Sequence, residues 1–283
     1  MARILSKKEE IERSIITTYR KEIWSPFVLA VKKYRLIEAG DKIAVCISGG
    51  KDSMLLAKLM QQLHRHSEVP FELVFLVMDP GYTVKNREKI LENARLLEVP
   101  VTLFDSDIFA VSETAGQGSP CYLCARMRRG HLYAKAKALG CNKIALGHHK
   151  SDVIETTLMG MLYGGQIQGM LPKIKSSNFE GMTLIRPMVC VLERDIIRWQ
   201  THHGLTFLAC ACKFTEESET GDVEFSARKR VKQLIADLLK ENPNVENNIF
   251  KSIHNVQLDT LVEYKTQGER HDFLERFEKD KQE

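Results

Sequence analysis

Apolar positions at Ile11, Ile15, Ile16, Tyr19, Ile23 and Phe27 recur at three- and four-residue steps, which predicts a helical lead-in over residues 7–39 that ends at Ala39-Gly40. The pattern then changes to short apolar runs parted by helical periodicity. Runs at 43–47, 71–78, 101–104, 143–146, 184–189 and 205–208 predict strands. Helices are predicted behind the first run as far as Leu63, at 84–97, 125–139, 152–162 and 194–203, and again at 226–240 and 245–264. Alternation of this kind calls for a parallel sheet covered by helices, an α/β doubly wound fold with helical extensions at both ends. Residues 164–181 carry glycines and lysines with little periodicity and predict a long loop, a lid or a plain connection; 215–222 is an acidic loop.

The first strand runs through Ser48, Gly49, Gly50, Lys51, Asp52 and Ser53 straight into an amphipathic helix. Two glycines let the backbone close around an anion, and the helix N-terminus behind them offers N–H groups and the positive end of a dipole. Ser48 and Ser53 add hydroxyls, Lys51 a charge, and Asp52 a carboxylate to cap the helix or help hold magnesium. These residues read as a phosphate cradle, although the G-x-x-x-x-G-K-[ST] loop is absent. A second loop, Gly147-His148-His149 with Asp152 beyond it, follows the run at 143–146. If the first and fourth strands are neighbours where the connections change direction, the two loops meet above the strand ends. Asp152 then holds magnesium or caps its helix, and His149 reaches a phosphate or a group in transfer.

At 283 residues with a net charge of +4, the chain suits one large domain with appendages, and nucleic acid does not follow from charge alone. The expected division is a helical segment at 1–40, an ATP-type α/β domain at 41–209, and a cysteine-containing loop with helices at 210–283. No apolar run approaches a membrane span, and the charged start MARILSKKEEIERS does not fit a secretion signal, so a cytoplasmic protein is expected. Seven cysteines, an odd number, suit a reducing compartment. Cys121 and Cys124 lie three apart at a helix start, and Cys210 and Cys212 follow far downstream. Three readings are open: an iron–sulfur cluster on Cys121, Cys124 and one of the later pair, a four-thiolate zinc site, or a redox dithiol. A three-thiolate cluster would leave one iron open. Cys46, Cys141 and Cys190 lie in or beside apolar runs and read as core residues. Arg126, Arg128, Arg129, His131, Lys135 and Lys137 crowd one segment beside Cys124, a solvated face or a grip for a polyanion.

Together, SGGKDS, CYLC followed by ARMRRGHLY, KIALGHHKSD, MLYGG with QGMLPK, IRPM and the later C-A-C resemble the tRNA 2-thiocytidine synthetase family. These are ATP-dependent, iron–sulfur tRNA thiolases of the PP-loop ATP-pyrophosphatase superfamily. The resemblance implies an adenine nucleotide α-hydrolase-like sheet and a cytidine of the anticodon loop as target. It implies ATP held by Ser48, Gly49, Gly50, Lys51, Asp52 and Ser53, with the adenine at the backbone near Met78. It implies a [4Fe-4S] cluster on Cys121, Cys124 and Cys212, although a C-x-C stands where the family has C-x-x-C, leaving Cys210 and Cys212 as alternatives. Partners implied are tRNA, gripped by Arg126, Arg128 and Arg129, a cysteine desulfurase or other sulfide source, and a second copy of the chain. Rival readings are a 2-thiouridine synthetase or another tRNA-modifying ligase and, from a different class, a zinc-stabilised tRNA-binding protein without catalysis.

Overall fold

The computed structural model describes residues 5–106, 120–208 and 223–279, with the backbone alone at 120–128, 223–226, 276 and 279. Six strands form its main sheet: β1 (Lys42–Ile47), β2 (Glu72–Asp79), β3 (Val101–Asp105), β4 (Lys143–Ala145), β5 (Lys173–Lys175) and β6 (Thr183–Ile185). Their order is β3-β2-β1-β4-β6-β5, parallel except for the antiparallel edge strand β5. The order in which strands are added reverses between the parallel neighbours β1 and β4, so their carboxyl ends open the crevice where doubly wound sheets bind ligands.

Successive residues of a strand point to opposite faces, and both faces are buried. Ile43, Val45 and Ile47 join one core with Leu55 and Leu59 of α3 (Lys51–His66), Ile90 of α4 (Val84–Leu96) and Trp199 of α7 (Glu193–His202). Ala44 and Cys46 face the other way, onto Tyr133 and Ala136 of α5 (Pro120–Ala138). The N-terminal segment completes the first core through Ile11, Ile15, Ile23 and Phe27. Predicted as a helical lead-in over 7–39, it is three helical pieces: α1 (Lys7–Ile16), a π-turn (Arg20–Trp24) and α2 (Ser25–Lys33). The Thr17 hydroxyl donates to Arg13 O and the Tyr19 N–H reaches back five residues to Ser14 O. Pro26 then fits the first turn of α2, and Arg35 at φ +47 turns the chain out well before Gly40.

Four further expectations change. The run at 205–208 is not a strand: Leu208 N–H donates to Gly49 O and Thr206 O accepts from Asn93, so this segment crosses behind the glycine loop instead of widening the sheet. The strand predicted at 184–189 stops at Ile185, where the residues that follow turn, and part of the 164–181 loop is the edge strand β5. Beyond α8 (Val223–Glu241) and α9 (Val245–Ser252), the helix predicted to 264 gives way to a hairpin, β7 (Glu263–Thr266) and β8 (Glu269–Asp272), capped by α10 (Phe273–Lys279). Among the described residues no helix is long and apolar enough to cross a membrane.

Candidate functional site

The first residue after β1 starts the cradle. The Ser48 N–H and Oγ both donate to Ser53 Oγ, at 3.1 and 3.2 Å, and Ser53 Oγ donates to Gly50 O at 3.0 Å, which folds the loop onto its own helix. Gly49 sits at φ +86, and a Cβ there would lie 2.6 Å from Ile90 Cγ1. Gly50 N-caps α3 without a side-chain bond, so no serine or aspartate occupies the N-terminal amides from that position.

The predicted second loop lies against the first. A Cβ on Gly147 would stand 3.1 Å from Asp52 C and Ser53 N, so the backbones touch there and only glycine fits without a shift. His149 N-caps α6 (Lys150–Gly164): Asp152 N–H donates to its Nδ1 at 3.2 Å, and its own N–H donates to Asp152 Oδ2 at 2.9 Å. Its Nε2 lies 3.7 Å from Asp52 Oδ1, which brings Lys51, Asp52, His149 and Asp152 together around one cleft. A cavity of about 350 Å³ opens there, walled by Ser48, Asp52, Ser53, Gly147, His148 and Asp152, with Met78 and Tyr82 at the β2 end.

Burial raises the Asp52 pKa, opposed by His149 and Lys51, and its buried Oδ1 has no hydrogen-bond partner among the described residues. Burial also holds the neighbouring His148 down to about 4, so it is neutral at neutral pH, and its buried Nδ1 lacks a partner among the described residues. Burial alone would lower the Lys51 pKa, yet Asp52 and Glu193 outweigh it and raise it.

Sequence reasoning missed the ion-pair cluster beside the cleft, because it comes from distant stretches. Lys51 Nζ donates to Glu193 Oε1 at 3.0 Å, and Lys232 on α8 donates to Glu193 Oε2 at 2.9 Å. Lys232 also lies 3.6 Å from Glu155, and Arg228 lies 3.4 Å from both Glu155 and Asp152. Glu193 is opposed by burial but drawn down to about 2 by the two lysines, whereas burial carries Glu155 up to about 7 despite Lys232 and Arg228. No spacing in the sequence announces these pairs.

Cys121 and Cys124 fall in the first turns of α5, three residues apart and hence on one helix face. Because α5 runs back from parallel β3 to parallel β4, its N-terminus lies at the carboxyl end of the strands, the end that holds the cleft. Arg126 and Arg128 follow on the same helix, and Arg129 is exposed on it. The side chains of Cys121, Cys124, Arg126 and Arg128, and all of Cys210 and Cys212, lie outside the described residues. Cys46 and Cys141 are buried, as expected, and Cys190 is partly so.

Comparison with known proteins agrees with this arrangement. A PP-loop domain family matches residues 25–234. A tRNA-cytidine(32) 2-sulfurtransferase of Geobacter sulfurreducens is 36% identical over 249 residues, 87% of this chain and 94% of that protein. Another, from Coxiella burnetii, is 34% identical over 262 residues, covering 91% and 95%. In three dimensions the chain is similar to the U34-tRNA thiolase NcsA from Methanococcus maripaludis, solved with its [4Fe-4S] cluster: the TM-score is 0.65 at 19% identity, covering 85% of this chain and 80% of that one.

Proposed function

Since the chain belongs to the PP-loop tRNA-cytidine 2-sulfurtransferase family, and is thus a tRNA sulfurtransferase, we propose that it replaces the C2 oxygen of an anticodon-loop cytidine with sulfur at the expense of ATP. The observation that carries this reading is the contact of the two loops at the β1–β4 switch, where Asp52 and Asp152 face one cavity. ATP fits that cavity. The glycine loop supplies amides to its pyrophosphate with Ser48, Ser53 and Lys51, and the backbone at Met78 takes the adenine. Among the described residues no three His, Cys, Asp or Glu side chains form a metal cage, and two carboxylates are what magnesium needs when phosphates complete its shell. Asp52, with its orphaned oxygen, and Asp152, held in place by His149, are the two.

The cytidine oxygen attacks the α-phosphorus, the α–β bridge breaks and pyrophosphate leaves. Loop amides and Lys51 stabilise the charge that builds on the phosphates. Hydrosulfide then adds to C2, and AMP departs with the original oxygen. Neutral His148 lines this space as a hydrogen-bonding group without adding charge. A target base in a single-stranded loop is presented unstacked, and Arg126, Arg128 and Arg129 beside the cleft bind its backbone. Cys121 and Cys124, three residues apart on α5, would hold a [4Fe-4S] cluster together with Cys212, and the cluster would supply an open iron for sulfur. A cysteine desulfurase or another sulfide source feeds it, and the working form is a cytoplasmic homodimer.

Protein purified without oxygen tests the metal assignment. It is expected to be brown with about four irons, to lose them in Cys121→Ala or Cys212→Ala, and to keep them in Cys210→Ala. A colourless protein holding zinc that needs all four thiols overturns the cluster and favours the zinc-stabilised tRNA-binding reading.

A further inference from the structure

Lys51 carries an ammonium with three N–H donors and no acceptor. Two of them are already committed, to Asp52 on its own helix at 3.3 Å and to Glu193 of α7 at 3.0 Å. These partners lie 1 and 142 residues away in sequence, so the lysine is pinned between the loop's helix and a separate element, and its third donor has a single direction left. Glu193 is itself fixed at two points. Its backbone N–H donates to Ser151 Oγ at 3.2 Å, and its second carboxylate oxygen accepts from Lys232 at 2.9 Å. Flanked by two lysines, the carboxylate is neutralised and does not repel a polyphosphate next to it. The apolar face of α7, with Ile196 and Trp199 fully buried, docks that helix without help from the Glu193 side chain.

We propose that Glu193 is the positioning residue of Lys51: it aims the lysine's remaining N–H at the β- and γ-phosphates of ATP and, through Lys232, makes that aim depend on the docking of α8. This rests on the assignment of Lys51 to the pyrophosphate end of the nucleotide. Lys51 held by Asp52 alone would sample several rotamers and be ordered only on binding, which costs affinity.

The test is a double-mutant cycle on the full chain, with Mg-ATP and AMP affinities measured by calorimetry and thermal unfolding run beside them. Glu193→Gln is expected to weaken ATP about tenfold, the scale of one charge-assisted hydrogen bond, and Lys232→Met to weaken it less. AMP, which lacks the phosphates in question, should bind Glu193→Gln as it binds the parent. In a Lys51→Ala background Glu193→Gln should cost ATP nothing more. Equal weakening of ATP and AMP, or the same tenfold loss with Lys51 absent, overturns the positioning role, because the carboxylate then supports the cleft and not the lysine. If Lys51→Ala alone binds ATP like the parent, the pyrophosphate assignment fails first and the proposal falls with it.

Discussion

Gly49 leaves the cradle little freedom. Its φ of +86 is closed to most side chains, and the missing Cβ space is filled by Ile90. Gly49→Ala is therefore expected to cost about 1–3 kcal/mol from the backbone conformation alone, with more from the clash. Adding Ile90→Ala should return only the clash part, since the dihedral strain stays; urea unfolding of the single and double variants checks this. A double variant as stable as Ile90→Ala alone would mean that the loop tolerates a side chain. The need for glycine there was legible in the sequence, because a strand, a glycine pair and a helix in that order leave few other roles. The identity of the wall against it was not: Ile90 is forty-one residues away and looks like any other apolar helix position. Glu193, Arg228 and Lys232 were illegible for the same reason, being ordinary surface charges until the fold gathers them.

Among the elements, strands and helices flanked by strong apolar runs were readable, and their ends moved by a few residues. Failures came where local pattern and tertiary contact disagree. The run at 205–208 has strand composition but spends its backbone groups on Gly49 and Asn93. The hairpin at 263–272 turns on Gln267 and Gly268, both at positive φ, and glutamine there gives a weaker turn signal than asparagine would. The N-terminal element docks by ions as well as apolar packing. Glu12 of α1 accepts from fully buried Lys58 at 2.6 Å and from Arg65 through both oxygens. Burial alone would raise the Glu12 pKa, but Arg65 and Lys58 bring it down to about 2. A carboxylate with a folded pKa below its ordinary 4.5 stabilises the fold fully above that value and loses the contribution as pH falls toward 2. Between about pH 5 and pH 3, then, the parent should lose more stability than Glu12→Gln, read by urea unfolding at each pH. Equal losses would show that this ion pair does not tether α1.

At the scale of the whole molecule, one topological fact organises the chemistry. Reversal of the strand order between the parallel neighbours β1 and β4 puts two loops about a hundred residues apart in sequence into van der Waals contact, and the return of α5 brings its cysteine-bearing end to the same rim. The α8 helix closes the outer side through Arg228 and Lys232. On the function proposed above, this gathering of a cleft, a thiol pair and a basic helix at one end of the sheet is the physical basis for ATP-driven sulfur transfer to an RNA base. The measurement that tests it most directly is a reaction of the anaerobically prepared protein with unmodified tRNA, Mg-ATP and sulfide, followed by mass analysis of the tRNA nucleosides and of the nucleotide products. The account predicts 2-thiocytidine formed only when ATP is present, with AMP and pyrophosphate released in step with it. Thiolated uridine in its place, ADP and phosphate as the products, or thiolation without ATP would contradict it.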